Sequence, residues 1–285
     1  SSTMNVLRTG ALMAVMIVLF ALVGRAIAGP GGMMIAFLFA IGLNFFSYWF
    51  SDKIVLKMYG AREVSRQEAP ELVDMVDRLR QRANLPMPRV CIVPDDNPNA
   101  FATGRNPENA VVAVTEGIMR ILDEGELEGV IAHELAHVEN RDMLTSSIAA
   151  TLASAITLIA QFGFYFGGRD RGGLIGSLLM LILAPIAATL IQTAISRTRE
   201  FAADRDGARI SGNPRGLANA LGRLQQGAAA RPMEASAKTE NTAHMFIVNP
   251  FAGTASGLAN LFSTHPPTDE RIERLNEMAR TGRIE

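Results

Sequence analysis

Apolar and charged positions are strongly segregated along this chain. Four stretches contain no charged residue: 9–24, 26–51, 143–168 and 172–196. A bilayer core of ~30 Å needs roughly 20 apolar helical residues, and the last three stretches reach that length. The first is shorter, but Arg8 and Arg25 at its ends can extend their charges toward the lipid headgroups. The pattern therefore predicts four transmembrane helices.

Residues 29–32, Gly-Pro-Gly-Gly, separate the first two stretches and predict a tight helical hairpin. A signal peptide is the competing interpretation, because residues 26–28, Ala-Ile-Ala, have the form of a cleavage site. Cleavage there would predict a secreted or periplasmic protease. We favour an uncleaved anchor, since the second apolar stretch follows at once.

The positive charges beside these stretches predict the orientation in the membrane. Lys and Arg collect on the cytoplasmic side, and Arg25 is the single cation between the first two stretches. Four cations follow the second stretch: Lys53, Lys57, Arg62 and Arg66. The polar residues from 51 onward are therefore predicted to face the cytosol. Two arginines within the loop 167–173 weaken this prediction without reversing it.

The polar part of the chain carries helix and strand signals. A capping-box sequence at 65–68 precedes apolar positions at helical spacing. Three β-favouring runs separated by turn residues predict a small antiparallel sheet packed on that helix: 89–94, 99–104 and 110–115. Further helices are predicted near Asp123, after Pro214 and after Arg271. Residues 227–242 lack apolar periodicity and predict a mobile loop, either a flap near the active site or a segment without a role.

Charge and cysteine content narrow the range of functions. The net charge of −1 and the lack of a basic stripe argue against a nucleic-acid partner. The single cysteine, Cys91, permits no internal disulfide and fits a reducing compartment. His244 lies in no motif and is predicted to be an ordinary loop histidine.

Residues 133–137 read His-Glu-Leu-Ala-His, an HExxH sequence in a segment predicted to be helical. Positions i and i+4 lie on one helix face, so His133 and His137 can bind one metal ion. Neutral imidazoles suit Zn²⁺, and Glu134 between them can reach a water bound to that ion. Two histidines that fall four apart by chance are the alternative, but the chain has only four histidines in all. The motif therefore predicts a zinc hydrolase.

A catalytic zinc ion has three protein ligands and an open position for water, so a third ligand is required. Glu200 is the best candidate, because Asp204 follows one helical turn later on the same face. Glu200 would bind the metal, while Asp204 would accept the distal N–H of a histidine ligand. An ordinary Glu-Asp pair on a solvated helix is the alternative.

Four motifs occur in a fixed order among the predicted spans: NAFATG at 99–104, HELAH at 133–137, EFAAD at 200–204 and HPPTDER at 265–271. Together they resemble the HtpX family of bacterial membrane zinc metalloproteases, which is related to the CAAX prenyl protease. The resemblance covers essentially the whole chain from Met4. It implies one Zn²⁺ per chain, held by His133, His137 and Glu200, with Glu134 as the catalytic acid/base. It also implies a multi-pass protein of the bacterial inner membrane whose cytosolic active site helps degrade damaged or misassembled membrane proteins.

The resemblance also suggests roles for residues outside the metal ligands. His265, isolated in a His-Pro-Pro turn, is nominated as a donor to the tetrahedral oxyanion, with a structural turn histidine as the alternative. Arg271 is expected to anchor Asp204 or a neighbouring acid. Four residues are expected to form an edge strand that pairs with extended substrate, unless that strand is purely structural: Asn99, Ala100, Phe101 and Ala102.

The expected fold is mainly α with a small antiparallel β-sheet, in which four transmembrane helices accompany a zincin-type metalloprotease domain. The second transmembrane hairpin divides that domain in sequence. The expected parts are an N-terminal hairpin at 4–50, catalytic segments at 51–142 and 197–285, and the second hairpin at 143–196. The expected partners are membrane-protein polypeptides as substrates, the lipid bilayer and other quality-control proteases.

A rival function from another class is a membrane scaffold or chaperone with a purely structural zinc ion. Such closed sites normally use four Cys or His ligands, whereas two His, one Glu and an unused Glu134 suit an open, catalytic site.

Overall fold

The computed structural model describes residues 2–166, 185, 196–230, 243–248 and 266–284. Four subjects of the sequence analysis fall wholly or largely outside these residues: the loop 167–173, the fourth apolar stretch 172–196, the loop 227–242 and His265. What the sequence predicts for them stays a prediction.

Eight helices make up most of the described chain. They are α1 (Ser2–Tyr59), α2 (Pro70–Arg82), α3 (Glu116–Ile121), α4 (Glu124–Glu139), α5 (Met143–Phe166), α6 (Arg197–Ser211), α7 (Pro214–Ala230) and α8 (Thr268–Thr281). Short 3-10 turns occupy Pro107–Asn109 and Ala243–Met245. The helix α4 begins with a full capping box between Asp123 and Glu126. The helix α2 begins at Pro70, after the capping-box sequence, because proline suits the first helical position.

The element α1 is a helical hairpin. The helical backbone breaks at Ala28 and at Gly29, whose φ of 65° suits glycine. The two arms then pack against each other, since Asn44 donates to the carbonyl of Met13 at 2.9 Å and the rings of Phe20 and Phe39 lie 6.0 Å apart. This is the hairpin that the Gly-Pro-Gly-Gly turn predicts.

Large apolar side chains cover the outside of this hairpin, among them Val15, Leu22, Ile35 and Leu38. Among the described residues, α1 alone is both long and apolar enough to cross a membrane. Exposure of such a large apolar surface to water is unfavourable, so the outside of the hairpin is suited to contact with lipid. The prediction of four spans goes beyond this element and stays a prediction.

The helix α5, which begins the third apolar stretch, starts inside the protein. Its side chains up to Ile156 are mostly buried, and its hydroxyl groups meet other elements. The hydroxyl of Thr145 lies 2.7 Å from that of Thr9 in α1, and the hydroxyl of Ser147 lies 2.7 Å from that of Thr103. The first half of α5 therefore joins the hairpin to the sheet.

The sheet has four strands, β1 (Arg62–Glu63), β2 (Arg89–Val93), β3 (Ala100–Thr103) and β4 (Val111–Thr115). Their spatial order is β1-β2-β4-β3. The two outer pairs are antiparallel, but β2 and β4 run parallel. The prediction of an antiparallel sheet is therefore wrong for the central pair, and the sheet is mixed.

The strand β4 lies inside the sheet, between β2 and β3. All five of its residues are buried, as expected for a strand covered on both faces. Residues 94–99 carry the chain past that position to the far edge. The strand β3 then returns along β4 as a hairpin, which makes β3 an edge strand and leaves β2 parallel to β4.

The sheet lies between two apolar layers. Helices α2, α4, α6 and α7 pack on one face, where Leu79, Ile131 and Leu135 are fully buried. The other face contacts the last turns of α1, the start of α5 and residues 243–248 through a cluster that includes Tyr59 and Phe101. The HExxH sequence thus lies on a helix that is buried against the sheet.

Candidate metal centre

The helix α4 presents two histidines one turn apart. The Nε2 atoms of His133 and His137 lie 3.1 Å from each other, and their rings are nearly perpendicular, at 89°. Both rings therefore direct one nitrogen toward a common point, as helical spacing predicts. The side chain of His133 is fully buried, while that of His137 is partly exposed.

Glu200 of α6 completes a group of three ligand atoms. Its carboxylate oxygens lie 3.7 Å from Nε2 of His133 and 3.6 Å from Nε2 of His137. Residues His133, His137 and Glu200 each offer one ligand atom, and these atoms lie within 4.8 Å of one another. The structure thus brings together the three residues that the sequence nominates as ligands.

Close packing of α6 on α4 allows this meeting. At Gly207 of α6, an added Cβ would lie 2.9 Å from the Cα atom of His133. No side chain fits between backbones at that distance, so glycine is required at this crossing. Glu200 and Asp204, on the same face of α6, reach the histidines because of this approach.

The donor set fits a zinc ion. Tetrahedral Zn²⁺ with bonds of about 2.0–2.1 Å places its ligand atoms about 3.3 Å apart. The two Nε2 atoms lie 3.1 Å apart, and each has a different oxygen of Glu200 at 3.6 or 3.7 Å, so the three side chains surround a space of about that size. Two imidazoles and one carboxylate form a typical catalytic set with room for a fourth ligand.

The charges around the site also fit a divalent cation. If the histidines are neutral, the charged groups around the site are two guanidiniums, those of Arg199 and Arg271, and four carboxylates. The carboxylates are those of Glu134, Asp142, Glu200 and Asp204. If all four acids are ionised, the formal charge is −2. A bound Zn²⁺ would offset it, which matters because uncompensated charge is costly in a buried site.

Asp204 and Arg271 support His133. The Nδ1 atom of His133 lies 2.9 Å from Oδ1 of Asp204, although the angle is too bent for a good hydrogen bond. Arg271 donates from Nε and from one Nη to the two oxygens of Asp204, both at 2.8 Å. Its other Nη donates to the carbonyl of Ile247 at 2.7 Å. Arg271 therefore lies where the sequence expects an anchor for Asp204.

The Asp204–Arg271 pair is charged although it is fully buried. Burial alone would raise the pKa of Asp204, but the charge and hydrogen bonds of Arg271, with His133 next, lower that pKa to about 2. Burial would likewise lower the pKa of Arg271, and the carboxylate of Asp204 outweighs it and raises that pKa. The carboxylate facing His133 is thus held ionised.

Asp142 is a contact of the metal site that the sequence analysis missed. Its Oδ1 atom lies 2.9 Å from Nδ1 of His137. Burial would lower the pKa of His137, but Asp142, followed by Glu200 and Glu134, raises it to about 10. The surroundings of His137 therefore favour positive charge at this point, which a bound cation would supply.

Glu134 lies beside the three ligand atoms and is 5% exposed. Its carboxylate faces the backbone N–H of Ala102 in the edge strand β3. Burial, together with the charge of Glu200, raises the pKa of Glu134. A buried carboxylate with increased proton affinity is suited to proton transfer.

A narrow cleft next to these residues is bounded by β3, by the start of α5 and by residues 243–248. Its lining includes Phe101, Ala102 and, against the expectation of an ordinary loop residue, His244. His244 is buried and its Nε2 donates to the carbonyl of Ser146 at 2.9 Å. No sequence motif surrounds His244, so only the path of the chain could reveal this position.

Asn99, nominated with β3, is buried just before that strand. Its side-chain oxygen accepts the N–H of Ile247 at 3.3 Å, and its backbone pairs with Thr115. Asn99 thus ties residues 243–248 to the edge strand. Ala100, Phe101 and Ala102 are also buried in the described structure.

Comparison with known proteins gives three findings. The model of the family described as Peptidase family M48 matches residues 66–279. Proteins named Protease HtpX homolog are similar over the whole chain. The one from Salinibacter ruber is 67% identical over 97% of this chain and 99% of its own length, and the one from Burkholderia lata is 56% identical over 99% of both.

Among solved structures, the crystal structure of Ste24p from S. mikatae is similar, with a TM-score of 0.52 and 16% sequence identity. The match covers 96% of this chain and 66% of that chain. At this identity the likeness concerns the fold alone.

Proposed function

We propose that this chain, which belongs to peptidase family M48, is a zinc-dependent endopeptidase with its metal at His133, His137 and Glu200. Similarity along the full chain to proteins named HtpX proteases supports peptide-bond hydrolysis as the reaction. The observation that carries the proposal is the convergence of three ligand atoms within 4.8 Å of one another, beside the buried carboxylate of Glu134.

When bound, a zinc ion would polarise the scissile carbonyl and lower the pKa of a water molecule towards ~7. Glu134 would accept the proton of the attacking water and deliver it to the departing amine. The raised pKa of Glu134 brings its proton affinity closer to what both transfers require. The N–H of Ala102 would hold this carboxylate in place during the reaction.

The substrate would bind as an extended strand along β3. The register of β3 on β4 leaves alternate backbone groups directed away from β4. The N–H of Ala102 is one of these and faces Glu134, so a substrate strand next to it would lie beside the proton-transfer group. Asn99 and Phe101 would flank this strand, and His265 would donate to the developing oxyanion.

Substrates would be segments of damaged or misassembled membrane proteins at the cytosolic surface of the bacterial inner membrane. Support comes from the contacts of the apolar hairpin α1 with the catalytic part. Asn5, near one end, donates to the carbonyl of Asn140 at 3.0 Å, and Asp52, in the other arm, accepts from Arg89 at 2.9 Å. A hairpin fixed in this way would hold the cleft near the bilayer, where other quality-control proteases would also act.

The test is the substitution Glu134→Gln in the full chain purified in detergent. We expect cleavage of a fluorogenic unfolded protein to fall at least about hundredfold, because the proton acceptor is lost, while the zinc content stays at one ion per chain. The matched control is Glu139→Gln on the same helix, since Glu139 pairs with Arg209 away from the cleft. The control should keep both zinc and activity.

Full activity of zinc-loaded Glu134→Gln would contradict the proposed general base. A parent chain that binds zinc but cleaves nothing would favour the scaffold or chaperone function instead.

A further inference from the structure

Each histidine of the candidate metal centre has its own carboxylate, and the one that serves His137 follows from no spacing rule. Oδ1 of Asp142 lies 2.9 Å from Nδ1 of His137. The backbone N–H of Asp142 also donates to the carbonyl of His137, at 3.2 Å. Asp142 is 4% exposed, so both its main chain and its side chain fold back onto the histidine out of solvent.

A tight turn after α4 produces this geometry. Asn140 ends the helix in a right-handed conformation, and Arg141 then adopts a φ of 56°. A residue with a side chain rarely takes such a conformation, and it persists where the surrounding contacts hold it. Here α4 precedes the turn and α5 follows it at Met143, so Asp142 is held between two helices.

The direction of the Asp142 side chain argues for a role in the metal site. An aspartate directly before a helix usually caps that helix by accepting from its first N–H groups. Asp142 precedes α5 in this way, yet its Oδ1 is directed at the imidazole of His137.

We propose that Asp142 is a positioning residue of the metal centre that fixes the tautomer and orientation of His137. A carboxylate oxygen accepts hydrogen bonds, so its contact with Nδ1 favours the tautomer of His137 that carries the proton on Nδ1. The lone pair is then on Nε2, the atom that lies near His133 and Glu200. The inference rests on the proposed metal site and adds a residue that supports it, parallel to Asp204 at His133.

The test is zinc affinity, measured by competition with a chromophoric chelator, for the full chain in detergent. The variant is Asp142→Asn, which keeps the volume of the side chain. Its amide can donate to Nδ1 and stabilise the tautomer with the proton on Nε2, so we expect zinc binding to weaken by about 10–100-fold. The visible absorption of the Co²⁺-loaded variant should change as well, because the ligand field at His137 changes.

The matched control is Asp206→Asn. Asp206 accepts a hydrogen bond at 3.1 Å from Asn140, which lies two residues before Asp142, and it contacts neither His133 nor His137. Its zinc affinity and Co²⁺ spectrum should match the parent. The variant Asp142→Glu keeps the carboxylate, so it should bind zinc more tightly than Asp142→Asn, and it carries the test if the asparagine variant does not fold.

Parent-like zinc affinity and Co²⁺ absorption in folded Asp142→Asn would overturn the proposal, as would an equal loss in Asp206→Asn or no advantage of Asp142→Glu. A parent chain that binds no zinc would overturn the metal site itself and this inference with it. A parent that binds zinc, with variants that do not differ from it, would overturn only the role of Asp142.

Discussion

At the scale of single residues, the metal centre depends on buried carboxylates that contact its histidines. Asp204 is held ionised because Arg271 donates two hydrogen bonds to it. Asp142 is also buried, and its Oδ1 contacts Nδ1 of His137. These acids cannot be solvated by water, so the arginines and a bound cation must compensate for their charge.

The lowered pKa of Asp204 predicts a loss of stability in acid. Its pKa in the folded chain is about 2, against an ordinary value of 3.8. A lowered pKa contributes stability at pH values above the unfolded pKa, and that contribution is lost as the pH falls from about 4 towards 2. It amounts to about 2 kcal/mol by the usual conversion.

We therefore expect the free energy of unfolding of the metal-free chain to fall between pH 5 and pH 2.5, by about 1.5 kcal/mol more in the parent than in Asp204→Asn, because part of the contribution remains at pH 2.5. Chemical denaturation in detergent at the two pH values measures this difference. The matched control is Asp77→Asn. Arg80 and its neighbours also lower the pKa of Asp77 to about 2, but this pair lies on the surface, where water screens the interaction. The stability of Asp77→Asn should therefore depend on pH much as that of the parent does. Parallel losses in the parent and in Asp204→Asn would contradict the prediction.

Residue spacing predicted part of this site and missed the rest for a physical reason. His133, His137, Glu200 and Asp204 could be nominated because each pair is separated by one helical turn, and helices make such positions neighbours. Asp142 lies outside the helix, behind a residue with positive φ, where no periodicity applies. An acid five residues after an HExxH histidine was the available signal.

At the scale of elements, the site depends on how closely α6 approaches α4. The two helices meet at Gly207, where an added Cβ would lie 2.9 Å from both Cα and N of His133. Backbone atoms cannot move aside as a flexible side chain can. Any side chain at this position must therefore separate the helix with the histidines from the helix with Glu200.

We expect Gly207→Ala to weaken zinc binding at least about tenfold and to cost about 1–3 kcal/mol of stability, as overpacking usually does. Chelator competition and thermal unfolding measure the two effects. Gly222→Ala in α7 is the control, since its Cβ would make an ordinary contact at 3.9 Å with Ile272. It should gain about 0.5–1 kcal/mol, because alanine is the better helix former. Parent-like zinc affinity in Gly207→Ala would show that the close crossing is not needed.

Pairing of the strands was less predictable than the helices. Local turn signals identified the β3–β4 hairpin, since both strands and their connection are adjacent in sequence. The parallel pair β2–β4 joins strands that are separated by β3, and turn residues carry no information on such a pairing. The run of buried residues in β4 was the one indication of its position inside the sheet.

At the scale of the whole molecule, the hairpin α1 and the metal centre form one connected unit. Hydrogen bonds join Asn5 to Asn140 and Thr9 to Thr145, on either side of Asp142 in the sequence. The hairpin tip at Ala28 and Gly29 lies at the opposite end of the two arms. The sequence resemblance to the HtpX family is confirmed by relatives that match the whole chain.

The side of the membrane that the metal centre faces can be tested by cysteine labelling, because the chain offers a low background. Its single cysteine, Cys91, is 2% exposed, and burial raises the pKa of its thiol to about 11. A buried, protonated thiol reacts slowly with maleimides. The folded parent should therefore remain almost unlabelled.

Two substitutions then report opposite ends of the molecule. Ala28→Cys places a thiol at the exposed hairpin tip, and Glu71→Cys places one on the exposed face of α2 in the catalytic part. If the catalytic part is cytosolic, a membrane-impermeant maleimide added to spheroplasts should label Ala28→Cys and spare Glu71→Cys until the membrane is permeabilised. Both arms of the hairpin are joined to the catalytic part at their far ends, so only its tip can cross the bilayer, and the tip and the metal centre must lie on opposite sides. The reverse labelling pattern would therefore place the metal centre on the outer side of the membrane. The substrates that the cleft could receive would then be on that side as well.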